Sequence, residues 1–425
     1  MKKTFKKTTL KNGLRIITVS HKDTKTVAVL VMTGTGSKYE EKSLSGISHF
    51  VEHMVFKGTK KRKGPMEIAG DVDRIGADYN AFTGEEYTGY YVKADASHFD
   101  VAVDWVSDIF LNARIPEEEV EKERGVIIEE INMYIDNPMR NIGDIWRKTL
   151  YDDQPAGRFI IGTKESVKNI GNKDILDYIK LQYVAENTVI CVVGNIGEKK
   201  AIETIKKYFT KIPNTLKKEK VPVINNQSQP NVFIFDKDTK QITMALGFRG
   251  YNHLHKDKYV MDVMATLLGG MMSSRMFNEV REKLGAAYYV ATYNESETDT
   301  GSLSTFAGID SSKINKVIET ILKEYRKLKE KKVSEKELKN IKDHLKGKLI
   351  IGIESSDAQA SFYCTQELLK NKILTIEDVI KGIEKVKSSD IMRVARDVFK
   401  PENLNLAIIG PYKNKEEEFK KLLKI

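Results

Sequence analysis

The strongest constraint on the fold is that the chain repeats itself. Asp23-Thr24-Lys25 stands just before the apolar run Val27–Met32, and Asp238-Thr239-Lys240 stands just before Ile242–Phe248, 215 residues further on. Asn187 leads into Thr-Val-Ile-Cys-Val-Val and then Gly194. Asn403 leads into Leu-Asn-Leu-Ala-Ile-Ile and then Gly410, 216 residues further on. Two matches at nearly one spacing predict a duplicated domain of about half the chain each. Length agrees, because one hydrophobic core rarely grows past about 250–300 residues, and this chain has 425. Between the halves, Leu216–Pro230 is Lys-rich and then Asn-Asn-Gln-Ser-Gln-Pro, the composition of a polar connector. The expected division is therefore a first domain over 1–215, a linker over 216–231, and a homologous second domain over 232–425.

Periodicity predicts strands at Leu14–Val19, Val27–Thr33, Tyr79–Thr83 and Thr88–Lys93. It predicts helices at Ser45–Phe56, Ala96–Asn112 and from Pro116 to about Tyr134. Pro116 followed by three glutamates is a good helix start, since Pro fits the first turn and acids face the positive end of the helix dipole. In the second half, Lys313–Lys331, Ser334–Ile351 and Ser356–Leu369 read as long helices. Strands mixed with helix runs in both halves give an α+β class, two α/β-sandwich domains. Charged residues make up 31%, and the net charge of +10 is spread along the chain. That is a lysine-rich solvated surface; no basic stripe with interleaved aromatics points to nucleic acid. Cys191 and Cys364 both sit in apolar surroundings and offer no CxxC, so buried free thiols in a reducing compartment are expected. The start, Met-Lys-Lys-Thr-Phe-Lys-Lys, is basic without an apolar core, and no run approaches the roughly 18 residues of a membrane span. A soluble, cytoplasmic protein without a membrane partner is the expectation.

The chemistry concentrates in Ser48-His49-Phe50-Val51-Glu52-His53-Met54. On a helix with Ile47, Val51, Met54 and Val55 as its apolar side, His49 and His53 project from one face, about 6 Å apart along the axis. That spacing lets two imidazoles reach one Zn²⁺, and Glu52 can lean toward the metal's open side; H-x-x-E-H is the inverted zincin pattern. A catalytic zinc takes three protein ligands, so one is missing. The stretch Glu123-Arg124-Gly125-Val126-Ile127-Ile128-Glu129-Glu130 offers it. Glu123 and Glu130 lie two turns apart on one face. Glu130 is a candidate third ligand, Glu123 a candidate support for a ligand, and Glu129 a competitor that spacing alone does not separate from Glu130.

Gly46–Thr59 as a whole, Gly-Ile-Ser-His-Phe-Val-Glu-His-Met-Val-Phe-Lys-Gly-Thr, resembles the active-site signature of the pitrilysin/insulinase family of zinc peptidases. The likeness is closest to the branch of the mitochondrial processing peptidase catalytic subunit and its bacterial relatives. The resemblance implies one zinc per chain on His49, His53 and Glu130, with Glu52 as the general base and Glu123 as an essential upstream glutamate. Gly76–Thr83 resembles the family's edge strand, which implies substrate binding along Asn80, Ala81, Phe82 and Thr83. Ser273–Phe277 and Arg281–Tyr288 resemble the block of the second domain, which implies that Arg281 and Tyr288 serve the substrate or the intermediate. The glycine-rich loop of the noncatalytic processing subunit is absent: Gly269-Gly270-Met271-Met272 stands alone. By resemblance, the chain is expected to be half of a clamshell chamber, a homodimer cutting short or unfolded peptides. A processing subunit that needs a partner chain, or a noncatalytic core-type protein, is the alternative.

Overall fold

Each half's apolar runs assemble into one sheet. The computed structural model describes residues 5–425, so Met1–Thr4 of the basic start lie outside the described residues. The first sheet contains β1 (Lys6–Thr9), β2 (Arg15–Ser20), β3 (Thr26–Thr33), β4 (Asp78–Thr83), β5 (Thr88–Asp95) and β6 (Thr188–Gly194), in the spatial order β1-β2-β6-β3-β5-β4. The second contains β7 (Asn231–Asp236), β8 (Gln241–Arg249), β9 (Ala287–Ser296), β10 (Gly301–Asp310) and β11 (Leu404–Gly410), in the order β7-β11-β8-β10-β9. The two orders superimpose once β1 is set aside. In each, one parallel pair (β2 with β6, β7 with β11) is followed by antiparallel pairs out to a hairpin edge, β4 or β9. The sequence repeat marks the two central strands of each sheet, β3 with β6 and β8 with β11. These strands are covered on both faces, so nearly every residue in them is buried and they read as continuous apolar runs.

The helices that matter below are α1 (Ile47–Met54), α2 (Phe99–Asn112), α3 (Glu117–Asp136), α4 (Pro138–Tyr151), α5 (Lys258–Gly269), α6 (Ile314–Glu330) and α7 (Ser356–Lys370). The predicted helix over Ser45–Phe56 is helical only from Ile47 to Met54, and that over Ala96–Asn112 opens with a 3₁₀ turn at Ala96–His98. No helix among the described residues is long and apolar enough to cross a membrane.

The chain divides into two compact units that interleave in sequence. The first takes the chain up to Asn132, Arg158–Val221 and Ile350–Thr375; the second takes Met133–Gly157, Pro222–Leu349 and Ile376–Ile425. A contiguous division at 216–231 therefore separates the two sheets but not the two units. The reason is a reciprocal exchange of helices. In the first unit, α2 packs on β3 and β5, while α7 from the second half packs on β3 and β6. In the second unit, α5 and α6 pack on β8, β9 and β10, while α4 from the first half packs on β7, β8 and β11. Tyr363, Cys364 and Ala360 of α7 join Ile17, Leu30, Met32, Val189 and Cys191 in one apolar cluster, in which both cysteines are buried and free. Trp146 of α4 is buried in the second unit, its indole N–H donating to Ser302 Oγ at 3.3 Å.

Candidate active site

α1 is short and needs a strong start. Its first residue follows Gly46, whose φ of 96° lies in the left-handed region that favours glycine. A Cβ there would stand 2.7 Å from the carbonyl oxygen of Ile161. The buried Glu40 carboxylate receives the N–H groups of Gly46 at 2.7 Å and Ser48 at 2.8 Å, satisfying donors that the helix itself leaves open. Ser48 Oγ and Thr35 Oγ1 both bond to the buried Tyr178 hydroxyl, at 2.7 and 2.6 Å. Ile47, Phe50, Val51 and Met54 are buried, so His49, Glu52 and His53 are left on the open side of a clamped helix.

The structure brings His49, His53 and Glu130 together, with ligand atoms all within 4.8 Å of one another. His49 Nε2 and His53 Nε2 are 3.2 Å apart. Glu130 Oε2 lies 3.7 Å from the first and 3.5 Å from the second. A tetrahedral zinc with ligands at about 2.1 Å separates its ligand atoms by about 3.4 Å. The three distances bracket that value, so the residues fit the ion. Glu129, next in sequence to Glu130, is exposed, and its carboxylate takes Asn132 Nδ2 at 3.3 Å.

Glu123 is buried two turns earlier on the same face of α3, and its Oε1 lies 2.7 Å from His53 Nδ1. Its other oxygen pairs with Lys57. Burial opposes its charge, but the hydrogen bonds from His53 and Lys57 outweigh burial and hold the carboxyl below the ordinary range. An ionised Glu123 can only accept, so the His53 proton sits on Nδ1 and leaves the Nε2 lone pair for a metal. Burial above all, and less strongly the neighbouring His53, push His49 down to about 3, which keeps it neutral as a metal ligand must be. Glu52 has the opposite problem. Burial and, less strongly, the Glu130 carboxylate raise its pKa, against a hydrogen bond from Thr83 and the pull of His53. Thr83 Oγ1 donates to Glu52 Oε2 at 2.5 Å.

Among the described residues, β4 is the outer strand of its sheet and pairs only with β5. Of its expected substrate-binding residues, Asn80 is exposed and Ala81, Phe82 and Thr83 are partly buried. Arg281 and Tyr288 belong to the second unit. Arg281 sits in a π-helical segment, Phe277–Lys283, with its guanidinium 4.8 Å from the Phe277 ring centroid. Tyr288 is 73% exposed on β9, the outer strand of the second sheet. The sequence reading missed Lys57, Glu40 and the Thr83–Glu52 bond. For Lys57 a signal existed: 49, 53 and 57 continue one four-residue spacing. Glu40 carried none, since its partners are backbone N–H groups.

A family model described as Insulinase (Peptidase family M16) matches residues 15–164, and one described as Peptidase M16 inactive domain matches 169–345. An uncharacterized zinc protease of Bacillus subtilis is 35% identical over 96% of this chain and 99% of its own length. Among solved structures, a protease from Helicobacter pylori superimposes with a TM-score of 0.89 at 28% identity, covering 96% of this chain and 99% of that one. A chain of complex III2 from Candida albicans shares the fold, with a TM-score of 0.85 at 20% identity over 99% of this chain and all of that one. With one relative 35% identical along almost its whole length, and family models matching both halves, the chain belongs to the insulinase family of peptidases, family M16.

Proposed function

We propose that the chain is a zinc-dependent metallopeptidase that hydrolyses short or unfolded peptides. The observation that carries this reading is the convergence of His49, His53 and Glu130 beside a partly buried carboxylate, Glu52, that is not itself part of the proposed ligand set. Zinc held by those three residues supplies a Lewis acid for the peptide carbonyl and makes water acidic enough to react near neutral pH. Glu52 takes a proton from the attacking water and returns it to the leaving amine. Burial raises its pKa above the ordinary carboxylate range, the direction suited to a group that both takes and returns a proton. Glu123 keeps His53 in the tautomer and orientation that ligation needs. The free edge of β4 at Asn80–Thr83 offers main-chain groups to an extended peptide, and Arg281 and Tyr288 are assigned to substrate or intermediate. One zinc per chain, a homodimer and a cytoplasmic location complete the proposal. The fold shared with a complex III chain favours a second reading, a partner-dependent or noncatalytic core-type subunit. The complete ligand set speaks for the first.

The test is peptide cleavage by the purified protein alone, with its zinc content and Glu52→Gln as control. About one zinc per chain, with cleavage that vanishes in Glu52→Gln while zinc stays, is the expected result. Equal turnover in Glu52→Gln removes Glu52 from its role. A chain without zinc or cleavage is the second reading.

A further inference from the structure

The hydrogen bond from Thr83 to Glu52 joins two elements with different expected tasks. Thr83 is the last residue of β4, the strand with a free edge, and Glu52 sits on α1. Side chains alternate along a strand, so Tyr79, Ala81 and Thr83 share one face and Asn80 and Phe82 the other. Tyr79 packs edge-on against Trp105 of α2 at 5.2 Å, and Phe82 meets Tyr87 at 6.0 Å and crowds Gly89. The Thr83 hydroxyl thus points from the strand toward the helix layer, away from the in-plane edge where a peptide's main chain would pair. Thr83 is held at its β-carbon by the strand register, opposite Thr88. Its hydroxyl donates to one oxygen of the partly buried Glu52 carboxylate.

We propose that Thr83 is a positioning residue: its hydroxyl aligns Glu52 for proton transfer, and its place on the edge strand ties that alignment to the strand that receives the peptide. The inference rests on the metallopeptidase reading. It assigns the side chain of Thr83 a task separate from substrate contact, which falls to the main chain. Loss of one hydrogen bond to an ionised group should cost about tenfold in rate, in kcat and not in KM, because the peptide's own contacts stay intact.

The experiment compares wild type, Thr83→Val and Thr83→Ser, full chain and zinc-loaded, by kcat and KM on one extended peptide, zinc content and melting temperature. Val keeps the shape and β-branching and removes the hydroxyl; Ser keeps the hydroxyl. The expected result is a kcat about tenfold lower in Thr83→Val, with KM within about twofold. Zinc content should match the wild type, and kcat should be largely recovered in Thr83→Ser. Three results overturn the proposal: an unchanged kcat in Thr83→Val, a loss confined to KM, or a Thr83→Ser as impaired as Thr83→Val. A loss of zinc in Thr83→Val also overturns it, since the hydroxyl would then serve the ligand set. A wild type that holds no zinc and cleaves nothing fails the metallopeptidase reading itself, a result distinct from any difference among the variants.

Discussion

Glu40 shows how a side chain outside the proposed ligand set can support the helix that carries it. Its carboxylate is fully buried and receives two N–H groups from the start of α1, the helix that carries both histidines. Burial nevertheless dominates, and it pushes the Glu40 carboxyl up to about 7 against those bonds and the nearby Arg158. An acid whose folded pKa exceeds its unfolded value stabilises the fold fully below the unfolded pKa. That contribution is lost as pH rises through the folded one. Between the ordinary value of 4.5 and about 7, the change is on the order of 3 kcal/mol. Urea unfolding of wild type and Glu40→Gln at pH 5 and pH 8 should show the wild-type advantage shrinking by that order at the higher pH. A difference independent of pH would show that the hydrogen bonds, not burial, set this group. None of this is legible in the sequence. The histidine pair is, because four residues on a helix put two rings on one face. Spacing alone makes Glu130 legible only to within one position; the resemblance picks it over Glu129, and in the fold the turn of α3 sends Glu129 to solvent. Glu40 and the Thr83 hydroxyl meet partners through tertiary structure alone, and no local pattern records that.

At the scale of elements, α7 is the piece on which the first sheet depends. It supplies Ala360, Tyr363 and Cys364 to the cluster on that sheet's face, and it is tied down by Lys93 to Asp357 and His21 to Gln359, each at 2.7 Å. Tyr363 is 1% exposed, and replacing a buried aromatic by alanine costs about 3–5 kcal/mol. The loss should be local. The chain has two tryptophans, Trp105 in the first unit and Trp146 in the second, so each unit carries its own fluorescent reporter. Tyr363→Ala should move the transition reported by Trp105 to lower urea, in a Trp146→Phe background. The transition reported by Trp146, in a Trp105→Phe background, should stay in place. Equal shifts in both would mean that α7 serves both units alike. The helix itself was predicted nearly to the residue, as was α6. Its destination was not. An apolar stripe says that a helix buries one face; it does not say against which sheet, and here the sheet belongs to the other half of the chain.

The whole molecule is a duplication whose copies have traded helices, and that changes what counts as a folding unit. The repeat in the sequence marks β3 and β6 against β8 and β11, the central strands, because a strand buried on both faces tolerates only an apolar run and keeps the likeness. The exchanged helices α4 and α7 carry no such mark. Cutting the chain in the 216–231 linker leaves residues 1–215 without α7. The cluster around Ile17, Leu30, Met32, Val189 and Cys191 is then open to water, while α4 has no sheet to cover. Residues 232–425 meet the mirror of that problem: β7, β8 and β11 lose Trp146 and the rest of α4, and α7 is left with its apolar face bare. Bare faces of this kind drive association or a loosely packed state that binds hydrophobic dyes. Each piece alone should therefore unfold without a cooperative transition and bind 1-anilinonaphthalene-8-sulfonate, although each contains a whole sheet. The same two pieces expressed together should copurify as a pair, because each brings the helix the other lacks. The measurement is size exclusion and thermal unfolding of 1–215, of 216–425 and of the coexpressed pair. A cooperative, zinc-binding 1–215 would mean that its sheet closes without α7, and that the exchange is a late addition to a domain already able to stand alone.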